Sequence, residues 1–167
     1  MVYLKKKKVT HFVISLALLV MLVPSSSFSK ELENIPATIS SPQALADWLQ
    51  EEFNYRLEFP DKWQTPEETI SSRAGDCEDF ALLASAFLTR LGIANDIVIL
   101  KFAGLNVSHA ICLWKDSNSF YNFISDRKLH HTGENDIKKA IGKFYPDCKK
   151  IIFSDSRKRH GKVIVRN

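Results

Sequence analysis

The sequence predicts an α+β domain in which N-terminal helices pack on an antiparallel β-sheet. Three observations carry that prediction. Between residues 41 and 92 the apolar residues recur at helical spacing. After residue 95 the pattern changes to short β-branched and aromatic runs separated by Gly, Asn, Asp and Ser. Helices come first and strands after, which is the order of an α+β chain rather than of alternating βαβ units.

The first 29 residues stand apart from the domain. Lys5, Lys6, Lys7 and Lys8 form a basic region, and Phe12 to Val23 is an uncharged apolar run short for a bilayer span. Pro24, a run of serines and the small-x-small triplet Ser27-Phe28-Ser29 follow. This is the layout of a secretory signal peptide, with an uncleaved membrane anchor as the competing reading. Residues 30–40 lack periodicity and read as a flexible lead-in, which places the domain at 41–167.

Within the domain, Ser41-Pro42 reads as N-cap and first helical residue. Ala44, Leu45, Trp48, Leu49 and Phe53 then share one face. Phe59-Pro60-Asp61 breaks the pattern. Thr65-Pro66-Glu67-Glu68 starts a second helix, with Glu68 where a capping box needs it. A third begins at "GDCEDFALL", residues 75–83, with Asp76 as N-cap, and stops at Gly92. Ala81, Ala84 and Leu88 share a face with Cys77, which lets that helix lie close to a partner. The strand-like runs are "DIVILKF" (96–102), "VSHAICLW" (107–114) and "FYNFIS" (120–125), with "KDSNS" as a hairpin connection. His130 and His131 read as part of a polar loop. A short helix over about Asp136 to Tyr145 and two further strands, "KKIIF" and "KVIV", complete the order. The basic run "SRKRHGK" reads as a solvated turn, with an anion-binding patch as the alternative.

Charge and cysteine count bound the function. Four of the 23 Lys and Arg lie in residues 1–29, which hold no Asp or Glu, leaving 19 basic against 19 acidic in the rest. A neutral balance argues for neither nucleic acid nor an anionic membrane surface. Export exposes cysteines to oxidation, and an odd count of three leaves at least one thiol unpaired within the chain. Cys112 reads either as a buried core thiol or as the partner of Cys148 in a disulfide.

Cys77 is the candidate nucleophile. A helix N-terminus lowers a thiol pKa, and its free N–H groups can receive an oxyanion. Glu78 and Asp79 oppose the thiolate, so Cys77 needs a further activator, most naturally a histidine. Of the five histidines, His109 alone lies inside a strongly apolar strand. It is either a core residue or that activator. A third group should orient its ring. Asp126, after the neighbouring strand, is best placed, and Asn122 is the alternative. No CxxC, HExxH or phosphate-cradling glycine loop is present. The acidic run Asp76, Glu78, Asp79 could hold Ca²⁺, although it lacks an EF-hand glycine and the full ligand set. No other cofactor is expected.

Cys in "GDCEDFALL", His in "SHA" and Asp in "ISD", preceded by "WQTPEET", together resemble the transglutaminase-like superfamily. The closest resemblance is to its small exported bacterial members, the transglutaminase-like cysteine proteinases, over roughly residues 41–127. The resemblance implies a papain-like core. It makes Cys77 the nucleophile, His109 the base and then acid, and Asp126 the residue orienting His109. The implied activity is acyl transfer from protein or peptide amides through a thioester, in an exported, periplasmic or secreted protein without a membrane span after leader cleavage. Water as acceptor gives a protease or amidase, and an amine gives cross-linking. Two rival readings are an NlpC/P60-like cell-wall peptidase, in which a "DC" motif also opens a helix, and a non-catalytic binding module on the same scaffold.

Overall fold

The computed structural model describes residue 36, residues 38–104 and 107–154, and the backbone of 163–164. Helix α1 (Pro42–Glu52) starts at the expected cap, where Ser41 Oγ accepts the Ala44 N–H at 3.1 Å. Phe53 is the first residue past the helix, extended rather than helical. Its ring still enters the core, edge-on to Trp48 at 4.8 Å. Helix α2 (Pro66–Ser72) has the full capping box: Thr65 Oγ1 accepts the Glu68 N–H, and Glu68 Oε2 accepts the Thr65 N–H. Two short strands frame it, β1 (Asn54–Tyr55) and β2 (Ala74–Gly75), paired in parallel. They bring residues 54–56 alongside the approach to Cys77. Two residues apiece carry no sequence periodicity, so the pair is a finding of the structure.

Helix α3 (Cys77–Arg90) ends as its sequence predicts. Gly92 has φ +73°, its N–H bonds to Thr89 O, and the Ile93 N–H reaches back to Leu88 O. That is the paired hydrogen-bond pattern of a Schellman cap, and the left-handed backbone favours glycine. Phe80, Leu83, Ala84, Phe87 and Leu88 are fully buried. Each large side chain among them contributes about 1.5–3 kcal/mol by leaving water.

The main sheet is antiparallel throughout, in the order β6-β5-β4-β3-β7-β8. Its strands are β3 (Asn95–Phe102), β4 (Ser108–Lys115), β5 (Tyr121–Ser125), β6 (Lys128–His131), β7 (Cys148–Ser154) and β8 (Val163–Ile164). Alternation along the strands divides the core in two. Ile97, Ala110, Cys112, Trp114 and Ile124 meet the N-terminal helices on one face. Val98, Leu100, Ile111, Leu113 and Phe123 meet helix α4 (Ile137–Gly142) through Ile141 on the other. Helices packed on an antiparallel sheet make this the α+β architecture that the sequence predicts.

Two expected elements are corrected, and two further placements are now given by contacts. His130 and His131 lie in strand β6, not in a polar loop: they pair with Phe123 and Asn122, and His130 stacks on Phe123 at 4.7 Å. A short, polar edge strand is held by its hairpin and by that ring contact, neither visible as alternation. Helix α4 ends at Gly142, three residues short of Tyr145, which continues as a hydrogen-bonded turn onto Ile141 O. Cys112 and Cys148 do not pair, because they pack on opposite faces of the sheet. Within the predicted lead-in, Ile39 is buried in the first core. The leader (1–29) and the basic run at 156–162 lie outside the described residues. Among the described residues no helix is long and apolar enough to cross a membrane.

Candidate active site

Cys77 opens α3, and the chain reaches it through Gly75 and Asp76. Gly75 is required by space: a Cβ there would lie 2.8 Å from Asp79 Cβ. Asp79 is fully buried and turned back to organise this approach. Its Oδ1 accepts the Gln64 N–H at 2.7 Å and its Oδ2 accepts the Asp76 N–H at 3.2 Å. Asp79 therefore ties the 58–64 segment to the start of α3 and is not available to a cation.

The remaining carboxylates crowd the thiol. Cys77 Sγ donates to Glu78 Oε2 at 3.1 Å. Glu78 shares a further hydrogen bond with Asp61, and Asp76 contacts Glu78 while Asp61 and Glu58 lie within electrostatic range of it. Asp76 and Glu78 are both buried, and Asp76 Oδ1 has no hydrogen-bond partner. Burial, then the hydrogen bond with Asp61, pushes the Glu78 carboxyl up to about 8. Burial also raises Asp76, with Asp61 and Glu58 adding to it. The thiol itself is pushed up to about 12, mainly by burial and further by Glu78, against a lowering hydrogen bond from the Ala110 backbone N–H. That last contact places Cys77 against β4, at the residue following His109.

His109 is the second residue of β4 and shares a face with Ile111, away from Cys112. Its Nε2 lies 2.8 Å from Ser125 Oγ and 4.0 Å from Asp126 Oδ1. Burial lowers its pKa, and Asp126 opposes that. Asp126 directly follows β5 in a two-residue turn to β6, with φ +53°. A left-handed non-glycine there is uncommon, and aspartate tolerates it better than most residues. Asp126 Oδ1 is buried without a hydrogen-bond partner. The structure thus brings His109 and Asp126 to one point, and sets Cys77 against Ala110, the next residue of β4.

Asn122 is elsewhere. It pairs in register with Trp114, and its amide is taken by Asp116 and His131. Its polar interruption of an apolar run is a hairpin feature.

Four residues near the site were not singled out by their sequence. Ser125 joins His109 to Tyr145, whose hydroxyl lies 2.6 Å from Ser125 Oγ. Tyr55, on β1, is raised to about 12, first by burial and then by the charge it meets at Cys77 and Asp126. Asp61 joins the carboxylate cluster. Ser125 stood inside the motif "ISD" and could have been weighed there; Tyr145 and Asp61 carry no local signal. A cleft of about 500 Å³ beside these groups is lined by Tyr55, Ser125, Asp126, Lys128, His130 and Tyr145 among others.

A thiol at a helix N-terminus, packed against a strand that presents a histidine to an aspartate, defines the transglutaminase-like class. The chain matches the family model described as a transglutaminase-like domain over residues 25–143, and it belongs to that family. Among solved structures it is similar to LapG of Legionella pneumophila. The calcium-bound form shares 21% identity, with 77% of this chain and 71% of that chain covered at a TM-score of 0.52. A second LapG structure shares 19% identity over 83% and 74%, also at 0.52. At this identity the likeness is one of fold. No curated protein matches the chain.

Proposed function

We propose that this protein is an exported cysteine-dependent acyl-transfer enzyme, a protease or amidase acting on protein or peptide amide bonds through Cys77, His109 and Asp126. The observation that carries the reading is the convergence of three elements: the α3 N-terminus, the start of β4 and the β5–β6 turn. Because Nε2 of His109 faces Ser125 and Asp126, Nδ1 is the nitrogen left for the thiol.

Cys77 is neutral at rest, since its pKa lies near 12. His109 therefore takes the proton as the sulfur attacks the substrate carbonyl carbon, rather than beforehand. The oxyanion forms beside the first N–H groups of α3, which have no partner within the helix. Asp126 stabilises the imidazolium, which returns its proton to the departing amine and leaves a thioester. Water, deprotonated by His109, releases the acid; an amine in its place would give a cross-link.

The carboxylates fit a hard divalent cation. Asp76 and Glu78 offer oxygen atoms within 4.8 Å of one another, Asp61 joins Glu78, and Asp76 Oδ1 is a buried acceptor in need of a partner. All-oxygen donors suit Ca²⁺, and one of the similar structures is calcium-bound. Asp61, Asp76 and Glu78 would hold the ion. When bound it would supply positive charge that offsets the carboxylates pressing on the thiol.

The raised thiol pKa is also what a non-catalytic module would show, and one experiment separates the two. The secreted chain is incubated with a proteome-derived peptide library, with Ca²⁺ or with EGTA, and new N-termini are read by mass spectrometry. Iodoacetamide labelling of the three thiols is followed in parallel. Cleavage that requires Cys77 and His109, with Cys77 labelled fastest in Ca²⁺, supports the enzyme. Cleavage that persists in Cys77→Ala, or a Cys77 slower than Cys148 in both conditions, overturns it. Fragments released from purified peptidoglycan in place of peptides would favour the cell-wall reading. N-terminal sequencing of the exported chain tests removal of residues 1–29.

A further inference from the structure

His109 Nε2 has two side-chain oxygens beside it, and only the nearer is at hydrogen-bond distance. Ser125 Oγ is at 2.8 Å and Asp126 Oδ1 at 4.0 Å. Ser125 is 4% exposed, so its hydroxyl must be satisfied inside the protein. Its partners are His109 on one side and Tyr145 OH, at 2.6 Å, on the other. Ser125 stands opposite Ile111 in the β4–β5 register, which puts it on the same face as His109. Tyr145 comes up to that face from the turn after α4, its ring 5.5 Å from the imidazole and 6.1 Å from Phe123. Tyr145 also lies beyond the residues matched by the family model, which end at 143.

We propose that Ser125 and Tyr145 are positioning residues, a hydroxyl chain that holds the His109 ring in place and competes with Asp126 for Nε2. The inference rests on the catalytic reading above. Its logic is one of hydrogen-bond direction. A hydroxyl can accept from Nε2–H or donate to a bare Nε2, so the Ser125–Tyr145 chain tolerates either tautomer. An ionised Asp126 only accepts, so it selects Nε2–H and leaves Nδ1 free to take the thiol proton. The chain fixes where the ring is, and Asp126 fixes which nitrogen is the base. In the resting arrangement the chain holds the nearer place. As the imidazolium forms, its positive charge draws Nε2–H toward Asp126.

The groups that face the ring are Asp126 from the β5–β6 turn, His130 from β6 and Tyr145 after α4, with Cys77 on α3 beyond the Ala110 N–H. Of these, Asp126 raises the His109 pKa. Breaking the hydroxyl chain should let the ring settle on Asp126 and titrate higher.

The test uses the whole exported chain with ¹³C,¹⁵N-histidine, and reads the His109 pKa and tautomer by NMR, which needs no substrate. Ser125→Ala and Tyr145→Phe should each raise the His109 pKa by about half a unit or more. Ser125→Thr, which keeps the hydroxyl, should restore the original value. Where turnover is measured, kcat should fall about tenfold with little change in KM. Tyr145→Phe removes one oxygen and keeps the ring, so it reports even where Ser125→Ala misfolds. An unchanged His109 titration in Tyr145→Phe, or a Ser125→Thr that behaves like Ser125→Ala, overturns the proposal. Loss of turnover on Cys77→Ala bears only on the catalytic reading. A shifted titration in a protein that cleaves nothing would leave the hydroxyl chain standing and sink the catalysis.

Discussion

Replacing Gly75 with alanine puts a new Cβ 2.8 Å from Asp79 Cβ and 2.9 Å from its Oδ2. The backbone of Gly75 does not adopt a positive φ, so the perturbation is purely one of space. Asp79 cannot move away without cost. Its two oxygens hold the Gln64 and Asp76 N–H groups, and hydrogen bonds to a charged group contribute about 1.5–3 kcal/mol each. Overpacking adds about 1–3 kcal/mol where nothing yields. The loss of glycine's freedom in the unfolded chain returns about 0.4–1 kcal/mol. If one hydrogen bond is lost and the rest strains, the net is a destabilisation of about 2–4 kcal/mol. For a domain of this size that is a fall of about 10 °C in Tm. Gly92→Ala is the control: it meets nothing within 4 Å but has φ +73°, and should cost about 1 kcal/mol from the left-handed backbone alone. The assay is thermal denaturation together with iodoacetamide labelling of Cys77. Gly75→Ala should melt lower than Gly92→Ala and also change the Cys77 labelling rate, because it disturbs the start of α3. A Gly75→Ala protein that melts within about 2 °C of wild type would show that Asp79 is not the rigid post described.

Two further outcomes follow from the acidic cluster. Glu78→Gln removes the carboxylate that accepts from the thiol, so iodoacetamide should label Cys77 faster at pH 8, by about tenfold for each pKa unit that the thiol falls; an unchanged or slower rate would refute the assigned role of Glu78. Stability without metal should decline as pH rises from 6.5 to 8. Glu78 has a folded pKa near 8 against 4.5 unfolded, so its contribution is complete below 4.5 and is lost as pH rises through 8. His109 acts with the opposite sign, because its folded pKa is lowered: its contribution is present above 6.5 and lost below. Above pH 6.5 the decline therefore isolates the carboxylates, and Glu78→Gln should flatten it in urea titrations. A Tm that rises between pH 6.5 and 8 would contradict the cluster as described.

How much of this was legible varied with the kind of interaction involved. Helices α1, α2 and α3 were readable to within a residue at their starts, because Ser41 and Thr65 accept from N–H groups three positions on, and at α3 Asp79 accepts from the Asp76 N–H three positions back. Strands β3, β4 and β5 were readable because each is a β-branched or aromatic run bounded by turn residues, with side chains entering the core on both faces of the sheet. Strand β6 was not, since its residues are polar and its stability comes from pairing and from a ring stacked on Phe123. At the site, Cys77 stood out through its place at a helix start and His109 through its isolation in an apolar strand. Choosing Asp126 over Asn122 required the β4–β5 register, which places Asn122 beside Trp114 and Asp126 at the turn next to His109.

The sequence by itself determined the order of elements, their caps and the residue types that meet at the site. Those depend on spacing along the chain and on the chemistry of single side chains. Only the tertiary structure decided what lies between distant segments. Asp61 reaches Glu78, Tyr145 reaches Ser125, Asp79 turns inward while Asp76 and Glu78 stay with the thiol, and Cys112 and Cys148 face opposite sides of the sheet. Each outcome is set by which face of an element is buried and in what register the strands pair. No short stretch of sequence encodes either one alone.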